Sequence, residues 1–542
     1  MIRWLPPQRA LNLGSSRTKA WPAKLAALLL LVLSLPVLAQ DLASFEKNVT
    51  VKTLPNGLTV VLYRRPEAPV FSFFTMVDTG SAQDPLHKTG LAHMMEHMAF
   101  KGTPDIGTTD YAKEKIALQE VEQTYAAYEA ERIKRVGQDP QKLKQLEEAW
   151  QAAMKDADQY VIKNQFGEIV ESHGGVGLNA FTSYDETAYL YSMPSNQVEL
   201  WASLESDRYA NPVMRDFYKE RNVVMEERRM RTDSRPTGRL VEQFLGTAFM
   251  ANPYHRPTIG YASDLLSFSA TDALNFFHRY YLPSNMVIGL AGDLDPAKVM
   301  PIVEEYFGRL QAAPKPEEVT TTEPAQNSLR QVNMQDPSQP FYIEGYHRPN
   351  YLDQDDAVYD AIADIMSNGR VSRLYRSLVR DQKIAAYAAG FSGLPGTKYA
   401  HLFAFYGIPL PGHTNDELRK GIHEQIEKLK TTDVTDEELA MFKTRSKADL
   451  IRSLASNEGL AQALATYQTR YGDWRELFHY LDRVDKVSKA DVRRVANQVF
   501  QESNRTTGEI LTVQLPMPEG MAPQGSPPPS SPKAEGSPKG GN

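Results

Sequence analysis

TGLAHMMEHMAFKGT, Thr89 to Thr103, carries His93-Met94-Met95-Glu96-His97 at its centre. On a helix, residues four apart stack on one face, so His93 and His97 point the same way, and Glu96 lies close beside them. Two imidazoles on one face can share a metal ion while the carboxylate reaches a water next to it. Zinc in a catalytic site takes three protein ligands and keeps one position open for that water, and a neighbouring glutamate can act as general base. An isolated pair of histidines at this spacing also occurs on half-exposed helices that bind nothing. The glutamate between them separates the two readings.

A third ligand has to come from elsewhere in the chain. YKERNVVMEERRM, Tyr218 to Met230, reads as a helix on which Glu220 and Glu227, seven apart, share a face. Glu226 points roughly 100° away from Glu227. Taken alone, this stretch reads first as a solvated charged helix.

The whole chain narrows the chemistry further. Its 542 residues exceed one ordinary core and predict two or more globular units. A net charge of -7 gives no basic footprint for nucleic acid. The chain has no cysteine, which removes disulfides, thiolate nucleophiles and thiolate zinc ligands together, so any metal must sit on histidine and carboxylate. At the N-terminus, Arg9, Arg17, Lys19 and Lys24 precede LAALLLLVLSLPVLA, which ends in Val37-Leu38-Ala39. This reads as a secretory signal over residues 1–39, too short in its apolar run for a membrane span, with cleavage after Ala39 expected over a retained anchor.

Further along, VTVKTLPNGLTVVLYRRPEAPVFSFFTM, Val49 to Met76, predicts strands around an Asn56-Gly57 turn. Residues from about 113 to 170 turn helical and charged, broken at Gly137-Gln138-Asp139-Pro140, and predict a helical hairpin. QAAPKPEEVTTTEPAQN, 311–327, has a linker's composition. The segment 516–542 is too poor in apolar residues to offset its ordering entropy and is expected to be disordered. SATDALNFFHRYYLPSN from Ser269 aligns without gaps on SKADVRRVANQVFQESN from Ser488, sharing Ser269/Ser488, Asp272/Asp491, Ser284/Ser503 and Asn285/Asn504. A Ser-x-x-Asp helix start, an amphipathic helix and a Ser-Asn turn used twice predict two related halves, 40–310 and 328–515.

His-x-x-Glu-His is the inverted form of the commoner zinc-peptidase motif. TGLAHMMEHMAFKGT, NAFTSYDETAY from Asn179 and ERNVVMEE from Glu220 resemble, in that order, the motifs of the insulinase/pitrilysin family of inverted-motif zinc metallopeptidases, which includes the mitochondrial processing peptidases. The resemblance runs from about Ser44 to Leu515. It implies His93, His97 and Glu227 as ligands of one zinc per chain, Glu96 as the catalytic base, and Glu220 as a supporting carboxylate. It further implies Asn179, Ala180, Phe181 and Thr182 as an edge strand that takes up substrate backbone. In SNGRVSRLYRSLVRDQKIAAYAAGF, Arg380 and Tyr387 fall on an arginine and a tyrosine that help hold substrate near the metal. The separation of His97 and Glu227 is longer than in most relatives by roughly fifty residues, with the helical hairpin as the inserted segment.

The implied fold is α+β, each half a mainly antiparallel sheet packed with helices, in a clamshell arrangement. The implied activity is an exported zinc endopeptidase, periplasmic or secreted, acting on peptides or unfolded segments. Four such domains close the family's chamber and this chain supplies two, so a homodimer is implied, with a heterodimer as the alternative; no stable membrane anchor is expected. Two other readings stay open: a subunit active only beside a different family member, and a non-catalytic scaffold.

Overall fold

The computed structural model describes residues 42–513; the expected signal segment, 1–39, and tail, 516–542, lie outside the described residues. The first half runs α1 (Leu42–Glu46), β1 (Val49–Thr53), β2 (Thr59–Arg64), β3 (Val70–Val77), α2 (Leu91–Met98), α3 (Tyr111–Arg132), α4 (Pro140–Asp158), α5 (Gln165–Ser172), β4 (Val176–Thr182) and β5 (Thr187–Pro194). It continues with α6 (Val198–Ala210), α7 (Phe217–Arg228), α8 (Pro236–Ala248), α9 (Ala262–Ser267), α10 (Ala270–Tyr280), β6 (Met286–Gly292) and α11 (Pro296–Phe307). The second half comprises β7 (Arg330–Asp336), β8 (Phe341–Arg348), α12 (Asp356–Ser367), β9 (Ala385–Leu394), β10 (His401–Pro409), α13 (Asn415–Thr431), α14 (Asp436–Ser453), α15 (Asn457–Tyr471), α16 (Glu476–Lys486), α17 (Lys489–Val499) and β11 (Arg505–Thr512).

The first sheet has the order β1-β2-β6-β3-β5-β4 and the second β7-β11-β8-β10-β9. Pairing is antiparallel throughout except β2 with β6 and β7 with β11. Removing β1 makes the two orders equivalent, strand for strand, so the halves repeat one α+β layer. The repeated helix starts behave alike. Ser269 and Ser488 each cap a helix reciprocally with Asp272 and Asp491, and Asn285 and Asn504 each donate to the carbonyl five residues back, Tyr280 and Val499, at 3.0 Å.

The inner strands of each sheet are buried on both faces. In β2, Val60 and Leu62 join the core beneath the helices of the first half, whereas Val61 and Tyr63 face the opposite way. That opposite face, with Phe74, Met76, Val287 and Ala291, is covered by Leu460, Ala461, Leu464 and Ala465 of α15, which belongs to the second half. The exchange is reciprocal: Leu240, Phe244 and Leu245 of α8 cover Phe341, Ile343, Leu402 and Ile510 of the second sheet. Helix α15 lies so close to β6 that a β-carbon at Gly289 would sit 2.0 Å from the carbonyl oxygen of Ala461. At Gly508, 219 residues on and at the matching place in β11, the nearest atoms are side-chain carbons of Ile343, Phe244 and Leu240 at 3.0–3.4 Å.

The Asn56-Gly57 turn joins β1 and β2 as expected, with Gly57 at φ +96°. The helical hairpin is α3 and α4; it ends at Asp158, and α5 is a separate helix rather than part of it. Asp139 caps α4 and Pro140 opens it, which explains the break between them. Residues 311–328 form no helix or strand. They are nevertheless held, by Lys315 on Asp78 at 2.8 Å and by Glu323 accepting from the backbone of Met250, Ala251 and Asn252.

Candidate metal centre

Helix α2 is buried on nearly all sides, with Leu91, Ala92, Met94, Met95 and Met98 in the core and His93 and Glu96 buried among them. Its start is fixed by glycine and by a carboxylate. Gly90 stands at φ +95°, and a β-carbon there would meet Ile259 O at 2.8 Å. Asp84 accepts from the N–H groups of Gly90 and Ala92 at 2.7 and 2.9 Å, satisfying donors that a helix start leaves free. After the helix, Arg215 gathers the chain: it donates to the carbonyls of Thr103 and Ile106 and binds the buried carboxylate of Glu114 in α3.

The second supporting helix is α7. Glu220 and Glu227 lie on the face turned toward α2, as their spacing predicts, and Glu226 turns outward onto Arg229. The hairpin braces this helix from behind. Trp150 of α4 meets Tyr218 with ring centroids 5.2 Å apart, and the Arg221 guanidinium lies 5.2 Å from the Tyr125 ring of α3.

Between the two helices, Glu227 Oε2 lies 3.6 Å from His93 Nε2 and 3.5 Å from His97 Nε2. One ligand atom from each of the three comes within 4.8 Å of the others. Two tetrahedral ligands, each about 2.0–2.2 Å from zinc, stand roughly 3.3–3.6 Å apart, so the separations to Glu227 suit one ion. His97 gives its other nitrogen, Nδ1, to Glu220 Oε1 at 2.9 Å, which leaves Nε2 free for a metal. Glu96 lines the same cleft as His97, and its Oε2 is buried without a hydrogen-bond partner.

The electrostatics agree with a cation site. Burial, aided by His97, lowers the His93 imidazole to about 4 and keeps it neutral. Burial alone would lower His97 too, but Glu220 and Glu227 outweigh it and hold that imidazole up at about 9. Without metal, a proton on His97 is the positive charge between the carboxylates. Burial raises Glu96 above the usual carboxylate range, opposed by a hydrogen bond from Thr182.

The predicted substrate strand is β4, whose segment Asn179–Thr182 pairs with β5 on one side and is the edge of the sheet on the other. It borders a cleft of about 650 Å³ lined by Glu96, His97, Phe100, Asn179 and Ala180, with α5 supplying Gln165 and Phe166. Arg380 and Tyr387 are not brought to this place within the chain. Arg380 is exposed in a π-helical turn, Tyr375–Asp381, and pairs with Asp381; Tyr387 is 47% exposed on β9, with its hydroxyl 3.4 Å from that of Tyr406.

Tyr387 borders a second cleft, of about 1080 Å³, in the other half. There Asp360, Ala363 and Asp364 of α12 line the cavity at the spacing of His93, Glu96 and His97, and Ser446 stands 219 residues after Glu227. The second half therefore repeats the helices of the site without its ligands.

Two residues at the centre escaped the sequence reading. Arg231 binds Glu227 Oε1 at 2.7 Å, and Lys101 pairs with Glu220 Oε2. Each lies four residues beyond a site residue, Glu227 and His97 respectively, a spacing that would have flagged Arg231 as a helical ion-pair partner.

Comparison with known proteins places these features in context. The sequence matches the insulinase (peptidase family M16) profile over 59–130 and 152–261, and the peptidase M16 inactive-domain profile over 267–446. Residues 131–151, at the tip of the hairpin, fall between the two matched stretches of the first. The zinc protease PqqE of Helicobacter pylori is 28% identical over 495 residues, covering 89% of this chain and 96% of the relative. A probable mitochondrial-processing peptidase subunit beta of Arabidopsis thaliana is 23% identical, covering 88% and 81%. Among solved structures, a protease from Helicobacter pylori superposes with a TM-score of 0.70 at 26% identity, covering 85% of this chain and 99% of that one. The first half of the periplasmic protease PqqL from Escherichia coli shares the fold with a TM-score of 0.63 at 18% identity, covering 86% and 92%.

Proposed function

Because the chain belongs to the insulinase (M16) family, whose bacterial relatives here are named zinc proteases, we propose that it is a zinc endopeptidase acting on peptides or unfolded segments. The observation that carries this reading is the convergence of His93, His97 and Glu227 beside a buried, unpartnered Glu96 oxygen. His93 Nε2, His97 Nε2 and Glu227 Oε2 would hold one zinc. Zinc, when bound, supplies Lewis acidity to a substrate carbonyl and to water, whose pKa it lowers to about 7.

The chain's own groups do the rest. Glu96, raised by burial, takes the proton from the attacking water and returns it to the departing amine nitrogen. Glu220 fixes the His97 tautomer. The free edge of β4 takes an extended substrate as an added strand, which aligns a peptide bond along α2. Arg380 and Tyr387, exposed on the other half, are assigned to the site of a second copy in a homodimer, where their donors would face the substrate backbone.

Export to the periplasm or the medium rests on the basic-apolar segment 1–39. Among the described residues no helix is long and apolar enough to cross a membrane.

The test is cleavage of a quenched fluorescent peptide mixture by the purified chain, before and after chelation and zinc restoration. Activity is expected to vanish and return. Glu96→Gln is expected to abolish hydrolysis while zinc remains bound; undiminished turnover by that variant overturns the base assignment.

A further inference from the structure

Both carboxylates of α7 that face the histidines divide their oxygens in the same way. Glu220 gives Oε1 to His97 and Oε2 to Lys101. Glu227 gives Oε2 to the two histidine Nε2 atoms and Oε1 to Arg231 Nη1 at 2.7 Å. A zinc-ligating carboxylate with both oxygens free can close on the metal with both. The second oxygen then takes the position that a water needs in an open catalytic site. Here the second oxygen is already engaged.

The backbone around Arg231 is built to keep it there. Helix α7 ends in a π-helical turn, Arg229–Asp233, and the turn is held against one face of α8. Arg228, mostly buried, binds Glu242 of α8 at 2.9 and 3.1 Å and the carbonyl of Gly260 at 2.6 Å. One turn earlier on the same face of α8, a β-carbon at Gly238 would lie 2.5 Å from the carbonyl oxygen of Arg231 itself. The Arg231 side chain is half-exposed, at 50%. An exposed ion pair four residues apart on a helix is ordinarily worth little. Arg229 with Glu226, three residues apart on the same turn, is likewise an exposed pair of that kind, because neither residue faces the site.

We propose that Arg231 is a positioning residue that ties down Glu227 Oε1, so that Glu227 offers the metal a single oxygen and one coordination position stays open. The inference rests on the zinc-binding reading given above.

The experiment compares the full chain with Arg231→Ala, Arg231→Lys and Arg229→Ala. The readouts are zinc affinity by competition with a chelator, the visible absorption of the cobalt-loaded protein, and the unfolding temperature without metal. Cobalt absorption reports the kind and arrangement of its donors. Arg231→Ala is expected to lose about ten-fold in zinc affinity, the low end of what losing an outer partner of a ligand costs. Its cobalt spectrum should change in shape and intensity as a second carboxylate oxygen replaces water, with the metal-free unfolding temperature unchanged. Arg231→Lys should restore much of both, and Arg229→Ala should change neither.

A cobalt spectrum and zinc affinity in Arg231→Ala equal to the parent's overturn the proposal. So does an Arg229→Ala variant that shifts as much. A parent chain that takes up no metal overturns the zinc reading itself, and is distinguished by the parent's own titration. Should Arg231→Ala fail to fold, Arg231→Gln carries the same comparison.

Discussion

Replacing Gly289 by alanine tests the reciprocal helix exchange most directly. The added β-carbon would lie 2.0 Å from Ala461 O and 2.9 Å from Ala461 C, and both are backbone atoms of α15 that no side-chain rotation can move. Reaching an ordinary contact, which starts at 3.4 Å, requires α15 to lift by more than 1 Å. A gap of 0.5–1 Å already forfeits a quarter to a half of the dispersion attraction across a packed surface. The surface here joins Leu460, Leu464 and Ala465 to Val61, Phe74 and Met76. Overpacking costs about 1–3 kcal/mol, and a rigid obstacle puts this case near 3. At roughly 2.1 cal/mol/K per residue, unfolding about 470 residues carries an entropy of about 1 kcal/mol/K, so the melting temperature should fall by about 3 °C. Gly508→Ala is the internal control. Its neighbours, at 3.0–3.4 Å, are ends of side chains that can yield, and less than 1 °C is expected. Differential scanning calorimetry at one scan rate measures both. An unchanged Gly289→Ala, or a larger loss in Gly508→Ala, would refute the argument that helix backbone against strand backbone sets this contact.

Two further outcomes concern the metal centre. Glu227→Gln should lose zinc whereas Glu226→Gln keeps it, as metal content after gel filtration will read; the reverse pattern reassigns the third ligand. In metal-free protein, His97 holds its proton up to about 9 against 6.5 for the free side chain, so its stabilisation is complete below pH 6.5 and lost as pH rises toward 9. His93, lowered to about 4, contributes stability that is present above pH 6.5 and lost as pH falls toward 4. Each is on the order of 2–3 kcal/mol, so the chelated protein should melt highest near pH 6.5. Zinc should flatten the alkaline slope by displacing the His97 proton; a slope identical with and without zinc would remove His97 from the ligand set.

Local spacing carried much of the site. The interval between His93 and His97, and that between Glu220 and Glu227, each state which face of a helix is used, and the folded chain turns those faces toward each other. The capping boxes at Ser269 and Ser488 were equally legible, because a cap is a contact within four residues. What stayed hidden is long-range. Nothing in the periodicity of α8 or α15 says that each covers the sheet of the other half, since an amphipathic helix records that it is covered, not by what. Strand β3, VFSFFTMV, is buried from its second residue onward; such a run is the trace of a sheet covered on both faces, but it does not name the second cover. The hairpin was drawn too long because α5 is helical and polar at its start, like its neighbours, and only its packing beside the cleft sets it apart. Arg380 and Tyr387 show the limit from the other side: the resemblance implied that they serve the metal site, and within one chain they stand in the other half, away from the cleft beside it.

The exchanged helices also set a timetable for synthesis. Strand β6 is finished at Gly292, but the helix that covers its outer face begins only at Asn457. At about 5–20 residues per second, the roughly 165 residues between them take on the order of 8–30 s to be made. Throughout that interval an apolar face carrying Val61, Phe74, Met76 and Val287 lacks the α15 side chains that cover it. The first half of this protein cannot cover that face until Asn457–Tyr471, in the last sixth of the chain, has been made.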